Sequence, residues 1–233
     1  MITLLFPTIQ EIPAKLISPK IESQKLYRIN NKCKFALTGP GYSVSNFIKK
    51  KHLSLKEDLL IIIGYGGALD KSLKSGDVII CNQFLADSEP KLNTYSKIFA
   101  SIQKQFEKYY KKIYTGMSFT TTKIINQKSI KKKLQEKGAI VVEMENYWAA
   151  QTAKDYSIDL MGFRIVLDTF HNNLPDLSAT ITCDGYLSVP NTLKHLMYHP
   201  SHLVNMVHVY FLTKKTDPQI LRCCKIISKF PDF

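Results

Sequence analysis

The chain predicts an α/β fold: one three-layer α/β/α sandwich around a central mixed sheet. Three observations carry that reading. Short apolar runs at residues 3–6, 34–37, 59–64, 77–81, 139–142 and 160–166 alternate with stretches of helical periodicity, the pattern of strands packed between helices. The run at 59–64 is apolar throughout, as expected for a central strand covered on both faces. With 233 residues, 45% hydrophobic and 22% charged, the chain has the length and composition of one sizeable globular core. A single domain over 1–233 is expected, with a helical extension from about 186.

Taken in order, Thr3-Leu4-Leu5-Phe6 reads as a buried first strand, and residues 7–13 as the turn and helix entry behind it. Lys34-Phe35-Ala36-Leu37 is the second strand. It runs into Thr38-Gly39-Pro40-Gly41-Tyr42-Ser43, whose glycines either let backbone approach a ligand or simply make a turn. After the strand at 59–64, Gly64, Gly66 and Gly67 are expected to turn the chain beneath a flat ligand with no Cβ in the way. Residues 93–110 read as a lysine-studded amphipathic helix, and 116–125 as a stretch rich in β-branched strand residues.

Ala139-Ile140-Val141-Val142 is a short strand, and from Met144 the pattern favours a helix through Tyr156. Glu143 and Glu145 therefore sit at a strand-to-helix switch. Ligands of open α/β sheets bind in such carboxyl-end crevices, where a carboxylate can accept hydrogen bonds from sugar hydroxyls. The same two acids also suit a helix first turn, worth about 0.3–1 kcal/mol each. Asp168 closes the strand at 160–166, either as a partly desolvated carboxyl able to hold or donate a proton or as a helix N-cap. Beyond it, Asp184-Gly185-Tyr186-Leu187 leads into three expected helices, 189–199, 201–212 and 217–230, with Pro190 suiting a first turn and Pro200 a break. His208, Tyr210 and Phe211 read there as packing residues.

Composition narrows the function classes. The five cysteines are scattered, with no Cys-x-x-Cys pair and no zinc-ligand spacing, which suits reduced thiols in a cytoplasmic protein without metal. His195, His199 and His202 can share a helical face, but no carboxylates accompany them as zinc ligands. The net charge of +13 is mostly lysine, and residues 101–137 carry ten lysines against Glu107 and Glu136. A nucleic-acid or anionic-membrane surface is one reading of that excess. A lysine-rich background, with only Arg28, Arg164 and Arg222 as arginines, is the other, and nucleic-acid binding is not expected. No apolar run approaches 18 residues, so no membrane span is expected, and Met1-Ile2-Thr3-Leu4-Leu5-Phe6 lacks the basic flank of a signal peptide.

Three blocks together resemble one family. Val142-Glu143-Met144-Glu145, followed some twenty residues later by Phe163-Arg164-Ile165-Val166-Leu167-Asp168, is similar to the paired signature of the nucleoside phosphorylase and methylthioadenosine/S-adenosylhomocysteine nucleosidase superfamily. Ile61-Ile62-Ile63-Gly64-Tyr65-Gly66-Gly67-Ala68-Leu69, then Leu73-Lys74-Ser75-Gly76-Asp77-Val78-Ile79, resembles its glycine-rich base-and-ribose loop and the strand after it. The blocks occur in the family's order across roughly residues 1–170. The Asp184-Gly185 turn before C-terminal helices is similar to the hopanoid-associated phosphorylase branch.

The resemblance implies cleavage of a purine N-ribosidic bond by a homodimer or larger homo-oligomer, with no metal or organic cofactor. It assigns Asp168 as the acid serving purine N7, Glu145 to the ribose hydroxyls with Glu143 and Met144 beside it, and Glu11 to the attacking water. Gly64, Tyr65, Gly66 and Gly67 would flank base and ribose, Thr38 and Gly39 the ribose or phosphate, and Phe119, Ile124 and Ile125 the purine. Where the family's phosphorylases carry an arginine before the glycine loop, this chain has Ile62 and Ile63. That favours water over phosphate as nucleophile, although Thr38, backbone amides or Arg28 leave phosphate open as co-substrate. Arg164 reads as an ion-pair partner rather than a ligand. Two departures stand out: Leu167 replaces the serine before the family's aspartate, and Asn146, Tyr147 and Trp148 replace small residues, an arrangement expected to reshape the pocket or a subunit contact.

Overall fold

A computed structural model describes residues 1–16, 21–93, 99–172 and 180–230. In chain order its strands are β1 (Ile2–Phe6), β2 (Leu26–Arg28), β3 (Cys33–Leu37), β4 (Leu59–Ala68), β5 (Val78–Ala86), β6 (Leu92–Asn93), β7 (Tyr114–Thr120), β8 (Ala139–Glu143) and β9 (Asp159–Asp168). The helices are α1 (Ser43–Leu55), α2 (Phe99–Glu107), α3 (Lys128–Glu136), α4 (Asn146–Asp155), α5 (Val189–Tyr198) and α6 (His202–Ser228).

Strand side chains alternate between two apolar layers, as a pleated strand buried on both faces requires. On one side Ile2, Leu4, Phe6, Leu59, Ile61, Ile63, Met161, Phe163 and Ile165 meet α2 and the second half of α6. On the other, Leu5, Leu60, Ile62, Leu160 and Val166 meet α1 and α4. The fold is thus the expected three-layer α/β/α arrangement.

The sheet runs β2-β3-β1-β4-β8-β7-β5-β6, and β9 pairs with both β4 and β5. The circuit β4-β8-β7-β5-β9 is therefore closed, with β1, β3 and β2 extending from its β4 side. β4 and β9 are parallel from Leu59 opposite Asp159 to Gly66 opposite Val166. A register shift there sets Gly67 opposite Asp168. Gly67 also pairs with Val142 of β8. The carboxyl ends of β4, β8 and β9 thereby meet at one rim.

Three expectations need correction. Gly64, Tyr65, Gly66 and Gly67 make no turn; they continue β4, because β8 and β9 both bond to this stretch and keep it extended. The helix expected over 93–110 is confined to α2, and Leu92–Asn93 instead form β6 against β5; residues 94–98 lie outside the described ones. The last two expected helices are one, α6, running through Pro218. An interior proline costs about 3 kcal/mol, and burial of Ile220, Cys223, Cys224, Ile226 and Ile227 beyond it outweighs that cost. Among the described residues, no helix is long and apolar enough to cross a membrane.

Candidate active site

At the common rim lies a cavity of about 460 Å³. Its floor is Tyr65, Gly66 and Gly67 from β4 with Val142 and Glu143 from β8. Glu11, Met144, Glu145, Leu167 and Asp168 line its sides, and Ile181, Leu187, Met206, Val209 and Tyr210 its outer wall.

Glu11 ends a short 3-10 turn behind β1 and is 6% exposed. Its Oε1 accepts from the Tyr65 amide at 2.9 Å, and its Oε2 from the amide and hydroxyl of Thr8 at 2.8 and 2.9 Å. Gly64 makes this approach feasible, since a Cβ there would stand 2.4 Å from Glu11 Oε1 and 2.8 Å from Arg164 Nη1. Burial, reinforced by the Glu145 carboxylate, pushes the Glu11 pKa up to about 7.

Glu143, the last residue of β8, reaches the start of α4, whose N-cap is Glu145. Its Oε2 accepts from the amides of Glu145 and Asn146 at 2.8 and 2.7 Å and from Arg164 Nη2 at 2.7 Å, and Thr120 donates to its Oε1. Burial raises its pKa against the pull of Arg164, yet four donors aimed at one carboxyl are all satisfied by the carboxylate form. The helix-terminus role open to these acids is thus filled by Glu143, from the strand. That leaves Glu145 turned toward the cavity, held by the Gly41 amide at 3.0 Å and by Arg164 Nη2 at 3.2 Å.

Arg164 is fully buried beneath these acids, and it also donates to Asn146 Oδ1 at 2.7 Å and to the Tyr65 carbonyl at 3.3 Å. It is the ion-pair partner expected rather than a cavity residue. Asp168 ends β9 opposite Gly67 and lines the same cavity. Burial raises its pKa, and Lys131, with Nζ 2.6 Å from Oδ2, pulls the other way. The Lys131 ammonium is itself completely buried and donates further to the carbonyls of Thr169 and Asn172 at 3.0 and 3.1 Å.

With this geometry in place, a family model described as the phosphorylase superfamily matches residues 30–178. The chain belongs to the phosphorylase superfamily. A search of curated protein sequences found no significant match. Among solved structures, an S-adenosylhomocysteine nucleosidase from Streptococcus pyogenes in complex with 5-methylthiotubericidin is similar with a TM-score of 0.67 at 14% identity, covering 99% of this chain and 97% of that one. A 5′-methylthioadenosine/S-adenosylhomocysteine nucleosidase from Helicobacter pylori gives 0.67 at 14%, covering 98% of each chain. The futalosine hydrolase of Helicobacter pylori gives 0.62 at 16%, covering 72% and 84%. The shared fold therefore continues past Phe170, where the sequence resemblance to the small nucleosidases fades.

Against the superfamily motifs, the structure gathers Glu11, Tyr65, Gly66, Gly67, Ile124, Ile125, Glu143, Met144, Glu145 and Asp168 around the cavity. It leaves four expected residues off the lining. Gly64 is spaced away by the Glu11 carboxylate. Thr38 is buried and donates to the carbonyls of Phe6 and Gly39. Gly39, at φ +85°, packs under the Cys183 carbonyl, which a Cβ would meet at 2.1 Å. Phe119 sits in the core between β7 and α3, with Lys137 Nζ 5.0 Å from its ring centroid.

The aromatic departures do not reshape the cavity. Tyr147 is buried against α1 and the sheet, and Trp148 stacks on Tyr42 with ring centroids 4.4 Å apart. Only Leu167 reaches the lining. Lys131 and the α6 wall were absent from the sequence reading. Their signals were a lysine in phase with Ile130 and Leu134 on an amphipathic helix, and apolar residues of α6 outside its buried stripe. Tyr210 lines the cavity as well as being exposed, and His208 and Phe211 are exposed, so none of the three is the packing residue expected.

Proposed function

We propose that the chain hydrolyses the N-glycosidic bond of a purine nucleoside and releases free purine. One observation supports this above others: Glu11, Glu145 and Asp168, from three separate segments, converge on one largely apolar cavity. As the bond between C1′ and N9 stretches, its electron pair moves to the purine and positive charge builds on the ribose. Asp168 gives a proton to N7, so the purine leaves neutral, and the buried Lys131 ammonium is the nearest source from which Asp168 is recharged. Glu145 accepts hydrogen bonds from the ribose hydroxyls and stabilises the cationic sugar. Glu11 orients a water that bonds to C1′ and takes its proton; a carboxyl with a pKa of about 7 suits that task near neutrality. Glu143 and Met144 shape the ribose side, Ile124 and Ile125 the purine side. No step needs a metal or organic cofactor.

Water is favoured over phosphate because no arginine fork lines the cavity among the described residues; Lys123 is a lining cation, and the carboxyls of Glu11, Glu143, Glu145 and Asp168 also line it and oppose an anion. The outer wall of Ile181, Leu187, Met206, Val209 and Tyr210 offers no charged group, which fits an uncharged 5′-substituent: a methylthio group or an apolar lipid chain rather than the zwitterion of S-adenosylhomocysteine.

The test is base release from 5′-methylthioadenosine, S-adenosylhomocysteine, adenosine and inosine, with and without phosphate. Release without phosphate, lost in Asp168→Asn and fastest for methylthioadenosine, is expected. Strict phosphate dependence would make the chain a phosphorylase, and binding without any release would make it a nucleoside-binding protein.

A further inference from the structure

The large hydrophobic side chains on the surface are concentrated in one place. Among the described residues fourteen are exposed, and ten of them fall between Leu187 and Phe211. Single exposed apolar residues need no explanation; a contiguous patch does. On α5, Val189, Leu193 and Met197 recur every fourth residue and form one stripe. On α6, Leu203, Val204, Val207 and Phe211 form another, with Met197 83% and Val204 74% exposed. The inner side of α6, through Met206, Val209 and Thr213, walls the cavity. This half of α6 is thus apolar on two sides, and only one of them is covered by the protein.

The charge of the same segment decides what covers the other. Residues 185–216 contain no aspartate or glutamate, and they carry Lys194, Lys214 and Lys215 with four histidines, Lys214 being paired with Asp217 just beyond the segment at 3.8 Å. The whole chain stands at +13. Docking two copies face to face would oppose two lysine-bearing, acid-free surfaces, whereas an anionic bilayer supplies the missing negative charge. We propose that the α5–α6 pair is a membrane-surface element that lies in the interface of an anionic bilayer, its outer stripes in the acyl boundary and its lysines among the headgroups. It does not span: no described helix is long and apolar enough. Leu187 and Tyr210 belong both to the exposed patch and to the cavity lining, so docking turns the cavity mouth toward the lipid. The surface stands on its own observations, independent of the reaction assigned above.

The experiment is co-sedimentation of the full chain with phosphatidylcholine vesicles and with vesicles that also contain phosphatidylglycerol. Binding to the anionic vesicles is expected to exceed binding to the neutral ones at least tenfold and to fall at high salt. The triple variant Met197→Glu, Val204→Glu, Phe211→Glu, whose residues lie off the cavity, is expected to lose at least tenfold in partitioning. Leu53→Glu, an equally exposed apolar site on α1, is expected to bind as wild type. If the triple variant fails to fold by circular dichroism, Lys194→Glu with Lys214→Glu and Lys215→Glu replaces it, with the same expected loss. No vesicle binding, or binding unchanged in a folded variant, would overturn the proposal. So would a wild-type dimer in light scattering that the triple variant dissociates while neither binds vesicles, since the face is then covered by a second copy.

Discussion

Lys131 Nζ lies 2.6 Å from Asp168 Oδ2, and the ammonium has no exposure to solvent. An acid assigned to donate a proton is thus held at rest beside a cation that favours its ionised form. The two roles are compatible if the pair acts as one unit: the ammonium's proton passes to the carboxylate and from there to N7, and the neutral amine then regains a proton from water.

Replacing Lys131 with Met leaves a lone buried carboxyl whose pKa rises further. At acid pH solvent protonates it and base release persists; at alkaline pH it is ionised with no donor at hand. The expected loss in kcat is therefore on the order of 100-fold near pH 8, within the range of general acid assistance, and clearly smaller near pH 5.5. Lys131→Arg, which keeps the charge but cannot surrender a proton, should leave the alkaline activity lost. A loss of equal size at every pH would reduce Lys131 to a structural tie.

Glu11 links activity and stability to pH in opposite directions. Its pKa rises from 4.5 to about 7 on folding, so between those values the native state holds a proton that the unfolded chain has released. Stability from this group is complete below pH 4.5 and is lost as pH climbs through 7, by at most about 3 kcal/mol. The stability of wild type minus that of Glu11→Gln, from urea melts at pH 5 and pH 8, should fall by an amount of this order. Base release should instead rise through pH 7 as Glu11 ionises to take the proton of water. A stability difference that does not change with pH would contradict the raised pKa.

Arg164 supports two carboxylates from below. Its Nη2 stands 2.7 Å from Glu143 and 3.2 Å from Glu145, and both acids are nearly buried. Arg164→Met strands both, and removal of one partner from a buried ion pair costs about 3–5 kcal/mol. Urea denaturation should show a loss of that size. Pairing the change with Glu143→Gln should restore part of it, because the stranded charge is then gone; purely additive losses would argue against the coupling.

Much of this was legible in the chain. The layered sheet followed from continuous apolar runs, whereas Glu143, Glu145 and Asp168 suit a helix first turn or cap as well as a site, and it is the family resemblance that singles them out. Other features were hidden for physical reasons. Lys131 lay within a lysine-rich run, and only its phase with Ile130 and Leu134 set it apart. The continuation of β4 through Gly66 and Gly67 depends on pairing with β8 and β9, residues distant in sequence, so local glycine chemistry suggested a turn. Thr38, Gly39 and Phe119 lie off the cavity lining, because strand-end reasoning does not say which side chains face inward. The unbroken α6 reflects tertiary burial overriding Pro218.

The outer wall of the cavity supplies the last prediction. Val209 sits on α6 between Met206 and Tyr210 in the stretch that also lines the cavity, and no charged side chain of the described residues accompanies it on that wall. Val209→Asp would place a carboxylate in apolar surroundings, where it meets either an uncharged 5′-group or, for adenosine, the space that group leaves. Burying even one apolar substituent beside an unpaired charge forfeits roughly 1–3 kcal/mol, so kcat/KM for methylthioadenosine should fall about 5- to 150-fold. Adenosine, whose small polar 5′-hydroxyl can hydrogen-bond to water or to the new carboxylate, should lose much less. The ratio of the two specificity constants is the measurement, because it cancels any general loss of active protein. An unchanged ratio would mean that the 5′-substituent does not rest on α6 and that the apolar wall serves some purpose other than substrate choice.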